Sequence, residues 1–85
     1  MRKVEIYTKS YCPYCRRAKE LLELKGIDFI EHDITADPAK EIEMRQRAGR
    51  QTVPEIFVDD ELLGGCDDLF ALDEARELDA RLGRT

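Results

Sequence analysis

The stretch Cys12-Pro13-Tyr14-Cys15 lies between two segments with different hydrophobic periodicities. The preceding segment, Lys3 to Thr8, alternates between apolar and polar residues, which predicts a β-strand. The following segment, Arg16 to Lys25, carries apolar residues at helical spacing and is followed by Gly26, which predicts a helix and its end. The two cysteines are therefore expected where a strand passes into the first turn of a helix.

This position has a chemical consequence for Cys12. Unpaired backbone N–H groups and the helix dipole favour negative charge at a helix N-terminus, so a thiol there is more readily converted to the reactive thiolate. Pro13 suits the first helical position because its missing N–H would have no partner there. Cys15 follows one turn later on the same helix face, within reach of Cys12. A Cys-x-x-Cys motif beside a βαβ pattern predicts a thioredoxin-like redox site.

The sequence after the first helix continues this pattern. A second strand is predicted within Asp28 to Asp33, and the right-handed crossover rule makes it a parallel neighbour of the first strand. Asp37 and Pro38 begin a second helix, whose clearest apolar positions are Ile42 and Ala48 and which ends at Gly49.

The C-terminal part predicts a hairpin and a final helix. Glu55 to Val58 forms a short buried strand, and Asp59-Asp60 turns the chain into Glu61-Leu62-Leu63. Asp67 and Asp68 are expected to cap one last helix that carries Leu69, Leu72, Ala75, Leu78 and Leu82. The order βαβ-α-ββ-α predicts an α/β fold with a four-stranded mixed sheet and helices on both of its faces.

Composition restricts the class of protein. A chain of 85 residues with 42% apolar residues has room for one small domain, residues 1–85. We expect neither a signal peptide nor a membrane span, because the N-terminus has no long apolar stretch. Only three cysteines are present, which favours a reducing, cytoplasmic location over a secreted disulfide scaffold.

The charge balance argues against nucleic acid as a partner, since the net charge is −5. Residues 1–50 contain eleven Lys and Arg against nine Asp and Glu, whereas residues 51–85 contain three against ten. The acidic half is interpreted as a solvated surface, and steering of partners is the alternative. A monomer is the expected state, since no long apolar surface stripe is apparent.

Three motifs together resemble the dithiol glutaredoxins of the small bacterial type. They are Ile6 to Lys9 leading into Cys12-Pro13-Tyr14-Cys15, Thr52-Val53-Pro54, and Gly64-Gly65-Cys66-Asp67-Asp68. The resemblance covers nearly the whole chain. It implies a thioredoxin-like three-layer sandwich and a glutathione-dependent thiol–disulfide oxidoreductase, with glutathione as co-substrate and disulfide-containing or glutathionylated proteins as partners.

The resemblance also implies residue roles. Cys12 is the nucleophile and Cys15 the resolving thiol, Pro54 follows a cis bond, and the free Val53 backbone pairs with glutathione as an added strand. Asp67 accepts from the glutathione amino group, while Lys9, with Gln51 or Arg47, meets the carboxylate at the other end. The implied glutathione site comprises Lys9, Cys12, Tyr14, Gln51, Thr52, Val53, Pro54, Gly65, Cys66 and Asp67.

Four alternatives stay open at this point. A structural zinc site would need four ligands, and only Cys66 and His32 could join the motif cysteines, so no metal is expected. An iron–sulfur carrier that uses Cys12 and glutathione in a dimer is disfavoured by Pro13 and the intact Cys15. A thioredoxin-like protein reduced by a flavoprotein reductase would keep the chemistry but change the electron source. Cys66 is interpreted as a small residue that supplies a backbone N–H, with a third oxidisable thiol as the alternative.

Overall fold

The computed structural model describes residues 1–84. Four strands form one mixed sheet in the order β2-β1-β3-β4. Strand β1 pairs parallel with β2 and antiparallel with β3, and β3 pairs antiparallel with β4. The predicted parallel neighbours and the mixed sheet are confirmed. The elements are β1 (Val4–Thr8), α1 (Pro13–Leu24), β2 (Ile30–Asp33), α2 (Pro38–Ala48), β3 (Glu55–Val58), β4 (Glu61–Gly64), α3 (Cys66–Glu74) and α4 (Leu78–Arg81).

Helices cover both faces of this sheet, as predicted. On one face, α1, α3 and α4 pack against the central strands around a cluster that includes Ile6, Leu22 and Leu69, each fully buried. On the other face, α2 packs against Tyr7 and Phe57. All five residues of β1 are buried, because helices lie over both of its sides.

Helix α1 begins at the redox motif and ends shortly before Gly26, whose backbone conformation favours glycine. Cys12 is its N-cap and Pro13 its first residue. Gly26 follows the helix with a φ of +70°, a conformation that a side chain would strain. The helix buries Ala18, Leu21 and Leu22, and its Cys12 end lies beyond the carboxyl end of the central strand β1.

The prediction for the apolar face of α2 was wrong in one residue. Ile42 is 54% exposed, and the buried residue of this helix is Met44. Methionine is long and flexible enough to fill the space between Tyr7, Ile34 and Phe57. The predicted ends of α2 are confirmed, with Asp37 as N-cap and Gly49 as a left-handed C-cap.

The prediction of a single last helix was wrong, and the prediction of two acidic caps is confirmed only for Asp68, whose side chain accepts from the Gly65 N–H. Helix α3 ends at Glu74, Arg76 adopts a φ of +60°, and a second helix, α4, begins at Leu78. The apolar spacing runs across the break because Leu69, Leu78 and Leu82 all pack into the same cluster. The N-cap of α3 is Gly65, so the aspartates lie within the first turn instead of before it.

None of the helices within residues 1–84 combines the length and the apolar character that a bilayer crossing requires.

Candidate active site

Cys12 lies partly exposed at the N-terminus of α1, where the motif predicted it. Its sulfur accepts a hydrogen bond from the Cys15 backbone N–H at 3.1 Å, so the side chain itself caps the helix. The Cys12 N–H in turn donates to the Lys9 carbonyl at 3.2 Å, which fixes the turn between β1 and α1. One amide N–H therefore points at the sulfur, at the end of the helix where the dipole favours negative charge.

Cys15 differs from Cys12 in its surroundings. It is only 1% exposed and lies beneath Cys12 on the helix face that meets the sheet. Burial, reinforced by the neighbouring Cys12 sulfur, raises the pKa of Cys15 to about 12. All three cysteines carry free thiols. The Cys12 sulfur is therefore accessible to solvent, whereas the Cys15 sulfur is buried.

The segment between α2 and β3 brings a second element to Cys12. The Val53–Pro54 peptide bond is cis, as predicted. The Val53 carbonyl lies 3.8 Å from the Cys12 sulfur and accepts from its thiol. Within residues 1–84 the Val53 N–H donates to no backbone carbonyl. An extended peptide passing this point finds a free amide donor beside the exposed thiol.

A groove of about 200 Å³ runs from this segment to the start of α3. It contains most of the residues predicted for glutathione, together with Asp68, which the sequence analysis left out. Its lining consists of Tyr14, Thr52, Val53, Pro54, Gly65, Cys66, Asp67 and Asp68. The three sequence motifs therefore meet at one surface.

The start of α3 supplies backbone donors to this groove. Asp68 accepts from the Gly65 N–H at 2.8 Å and so fixes the turn into the helix. Gly64 has a φ of +130°, and a Cβ there would lie 2.2 Å from the Asp68 carboxylate, so only glycine fits. The N–H groups of Cys66 and Asp67 belong to the first turn, where no helical partner exists for them. Such an end suits an anionic ligand group.

A sequence model of the family described as Glutaredoxin matches residues 4–63. The chain belongs to the glutaredoxin family. It is 56% identical to Glutaredoxin 3 of Escherichia coli (strain K12) over 82 residues, which cover 96% of this chain and 99% of that protein. The solution structure of a glutaredoxin from Brucella melitensis is 49% identical and superposes with a TM-score of 0.85, covering 99% of this chain and 91% of that one.

A crystal structure of a buckwheat glutaredoxin–glutathione complex is also similar. It superposes with a TM-score of 0.85 at 26% identity and covers 96% of this chain and 77% of that one. These findings confirm the thioredoxin-like fold and identify this glutaredoxin as a glutathione-dependent thiol–disulfide oxidoreductase. They favour neither the iron–sulfur carrier nor the protein reduced by a flavoprotein.

Three residues predicted for the glutathione site of this glutaredoxin, Lys9, Cys12 and Gln51, lie outside the groove lining. Lys9 and Cys12 line a second hollow, of about 400 Å³. Gln51 lines a third hollow beside Arg50. Arg47, the alternative to Gln51, is bonded to Glu5 and Asp60, each at 3.1 Å, so its side chain is held away from the groove. The contacts of Lys9 and Gln51 with glutathione stay predictions.

Cys66 contributes to the groove mainly through its position at the start of α3. It is 6% exposed, and burial raises the pKa of its thiol, although Arg17 partly opposes this effect. These surroundings favour the protonated thiol, which is a poor nucleophile.

The sequence analysis missed an ion pair in the second hollow. Glu31 accepts from the Thr8 hydroxyl at 2.6 Å and from the Lys19 ammonium at 2.9 Å. Lys19 follows Cys15 by one helical turn, a spacing that could have signalled its proximity to the motif. Among residues 1–84, no group of three or more His, Cys, Asp and Glu side chains converges in a way that could hold a metal ion.

Proposed function

We propose that this glutaredoxin binds glutathione in the groove between Val53 and the start of α3. Four features support the placement: the free Val53 amide, the unpaired N–H groups of α3, the exposed Asp67 carboxylate and the similarity to a glutaredoxin that forms a glutathione complex. The glutathione backbone pairs with Val53, which directs its cysteine sulfur towards Cys12. Its α-carboxylate meets the N–H groups of Cys66 and Asp67.

Further side chains define the edges of this bound tripeptide. The Asp67 carboxylate accepts from the glutathione amino group, an ion pair at the entrance of the groove. Tyr14, which is 56% exposed, and Thr52 flank the peptide, and Gly65 and Pro54 allow the ligand to approach the backbone closely. Lys9 and Gln51 reach the glycine carboxylate from the two neighbouring hollows.

Cys12 is the nucleophile of the proposed reaction. The observation that carries this assignment is the Cys12 sulfur itself, which faces the Cys15 N–H at 3.1 Å and the Val53 carbonyl at 3.8 Å. The thiolate attacks the glutathione sulfur of a glutathionylated substrate, forming a mixed disulfide and releasing the substrate as a thiolate that takes up a proton. A second glutathione thiolate then attacks that disulfide, which frees Cys12 and leaves oxidised glutathione.

Cys15 enters only when the substrate is a protein disulfide. After Cys12 has formed a mixed disulfide with the substrate, Cys15 loses its proton and its sulfur attacks the Cys12 sulfur, which forms the Cys12–Cys15 disulfide and displaces the substrate as a thiolate that takes up a proton. Glutathione later reduces the Cys12–Cys15 disulfide. The burial of Cys15 suits this role, because the attack comes from within the protein and needs no access from solvent.

A coupled assay with glutathione and glutathione reductase tests the assignment. With a small glutathionylated disulfide as substrate, Cys12→Ser should lose all activity and Cys15→Ser should keep it. With a protein disulfide, Cys15→Ser should lose most of its activity as well. Equal and complete loss in both variants on both substrates would contradict the separate roles of the two sulfurs.

The remaining assignments complete the proposal. We place the protein in the cytoplasm, acting as a monomer and as one glutaredoxin domain over residues 1–85. Its partners are glutathione and disulfide-containing or glutathionylated proteins, with no role for nucleic acid, for a membrane or for a bound metal. The low number of cysteines, three, fits a reducing compartment.

A further inference from the structure

Glu55 is an unusual residue to find at the first position of β3. Its side chain is completely buried, at 0% exposure. No other charged side chain among the described residues is as deeply buried. An ionised carboxylate removed from water is unfavourable unless it is paired and hydrogen-bonded. A carboxylate in this position therefore has a structural partner or a functional reason.

All of the hydrogen bonds recorded for this carboxylate come from the segment just before it. The Arg50 Nε donates to both of its oxygens, at 3.0 and 2.8 Å, and the Thr52 hydroxyl donates to one of them at 2.7 Å. The Glu55 carboxylate thus connects the Arg50 and Thr52 side chains, at the two ends of the segment 50–52.

Val53 packs against the core beside Phe57 and Pro54 is buried, but few other hydrogen bonds hold residues 50–52 in place. Residues 50–54 belong to no helix or strand. Among residues 1–84, no backbone–backbone hydrogen bond outside the regular elements involves residues 50–53. The same segment presents Thr52 and Val53 to the groove, with the Val53 carbonyl 3.8 Å from the Cys12 sulfur.

We infer that Glu55 is a positioning residue for glutathione, acting through Thr52 and the Val53 backbone. This inference rests on the proposed placement of glutathione along Val53. The carboxylate holds the segment in the shape that binds the tripeptide, so that binding does not have to order it first. Glu55 touches neither the ligand nor the reacting sulfurs in this assignment.

Steady-state kinetics with glutathione as the varied substrate test the inference. Glu55→Ala should raise the KM for glutathione by roughly tenfold, the effect expected when a charge-assisted hydrogen bond that orders the site is lost. The rate of Cys12 alkylation by iodoacetamide should change less than about twofold, because the helix N-terminus is untouched. Glu55→Gln, which retains an oxygen acceptor for the Thr52 hydroxyl, should restore the KM to within about threefold of the wild-type value.

Glu5→Ala is the matched control. Glu5 is also a buried carboxylate paired with an arginine, and it lies on the neighbouring strand β1, but its partner Arg47 does not belong to the groove. Its loss should lower the thermal midpoint and leave the KM for glutathione unchanged. An equal rise of KM in Glu5→Ala and Glu55→Ala would overturn the inference, because the effect would then be general destabilisation.

Thr52→Val tests the same link without removing a buried charge. Thr52 is exposed, and valine keeps its shape while removing the hydroxyl donated to Glu55. The KM should rise, and amide hydrogen exchange at residues 51–53 should become faster than in the wild type. Unchanged exchange and an unchanged KM would overturn the inference even if Glu55→Ala failed to fold.

Combining Thr52→Val with Glu55→Ala separates positioning from direct contact. If the hydroxyl acts only by holding Glu55, the double variant should have the KM of Glu55→Ala alone. Multiplying effects would assign Thr52 a contact with glutathione that is independent of Glu55 and would refute the proposed link. Failure of the proposed function would appear differently, as a wild-type protein whose rate does not saturate with glutathione.

Discussion

Glu5 makes the stability of this glutaredoxin depend on pH in the acid range. Its carboxylate accepts from Arg47 at 3.1 and 3.3 Å and lies 3.0 Å from the His32 Nε2. Burial alone would raise the pKa of Glu5. Hydrogen bonds from Arg47 and His32, with the charges of Arg47 and Lys3, outweigh burial and lower the pKa from 4.5 to about 2.

This lowered pKa gives both the sign and the size of the effect. A carboxyl group that ionises more readily in the folded state stabilises that state fully above its unfolded pKa of 4.5. The contribution is lost as the pH falls from 4.5 towards 2. A change of this size corresponds to about 3 kcal/mol in the free energy of unfolding. We therefore expect Glu5→Gln to be destabilised by about 3 kcal/mol near neutral pH and by little near pH 2.

Urea denaturation of wild type and Glu5→Gln at a series of pH values measures this difference. Comparing the two proteins isolates Glu5, since every other carboxylate titrates in both. Glu23→Gln is the control, because Glu23 is exposed on α1 and should change the free energy of unfolding by less than about 0.5 kcal/mol at any pH. A wild-type-to-Glu5→Gln difference that stayed constant between neutral pH and pH 3 would refute the reasoning, because a lost charge interaction must titrate.

Three further predictions follow from the site and the core. Cys15 in a Cys12→Ser background should be alkylated at least a hundredfold more slowly than an exposed cysteine, since it is only 1% exposed and burial, the largest cause of its raised pKa, remains without the Cys12 sulfur; mass spectrometry of the labelled peptide measures the rate, and comparable rates would contradict the burial argument. Asp67→Ala should raise the KM for glutathione with little effect on the rate of Cys12 alkylation. The control is Glu74→Ala, at an exposed position of the same helix, which should leave the KM unchanged. An unchanged KM in Asp67→Ala would remove Asp67 from the site. Met44→Ala should lower the free energy of unfolding by about 2–5 kcal/mol, because Met44 is fully buried. Ile42→Ala, at an exposed position, should lower it by less than about 1 kcal/mol. Urea denaturation measures both values, and similar midpoints for the two variants would show that Met44 does not fill the core.

The sequence predicted those parts of the fold that local chemistry determines. Pro13, Asp37 and Gly49 each require or favour one backbone conformation, and the structure places all of them at the predicted helix ends. The Asp59-Asp60 turn is of the same kind, with φ values of 49° and 70° that fit a two-residue hairpin.

What could not be predicted depends on contacts between distant residues. The exposure of Ile42 and burial of Met44 follow from how α2 lies on Tyr7 and Phe57, which the helical period alone does not define. Leu78 and Leu82 continue the apolar spacing of α3, so only the tertiary packing reveals the break at Arg76.

The candidate site shows the same division. The motif residues could be grouped because each carries a local signal, such as the cysteine pair, a proline after valine or two adjacent glycines. Glu55 carries no such signal in the sequence, since its significance lies in a carboxylate enclosed by Arg50 and Thr52. The sequence allowed Arg47 to be assigned to the groove, but in the structure its side chain is hydrogen-bonded to Glu5.

The hydrogen bond from the Cys15 N–H to the Cys12 sulfur makes one atom both the cap of α1 and the proposed reacting group. A disulfide sulfur is a weaker hydrogen-bond acceptor than a thiolate, so the first turn of the helix is less stabilised when this sulfur is in a disulfide than when it is a thiolate. Each catalytic cycle therefore loosens and restores the end of α1. By thermodynamic linkage, whatever free energy the helix gains from a thiolate cap is also gained by the thiolate form of the reduced protein.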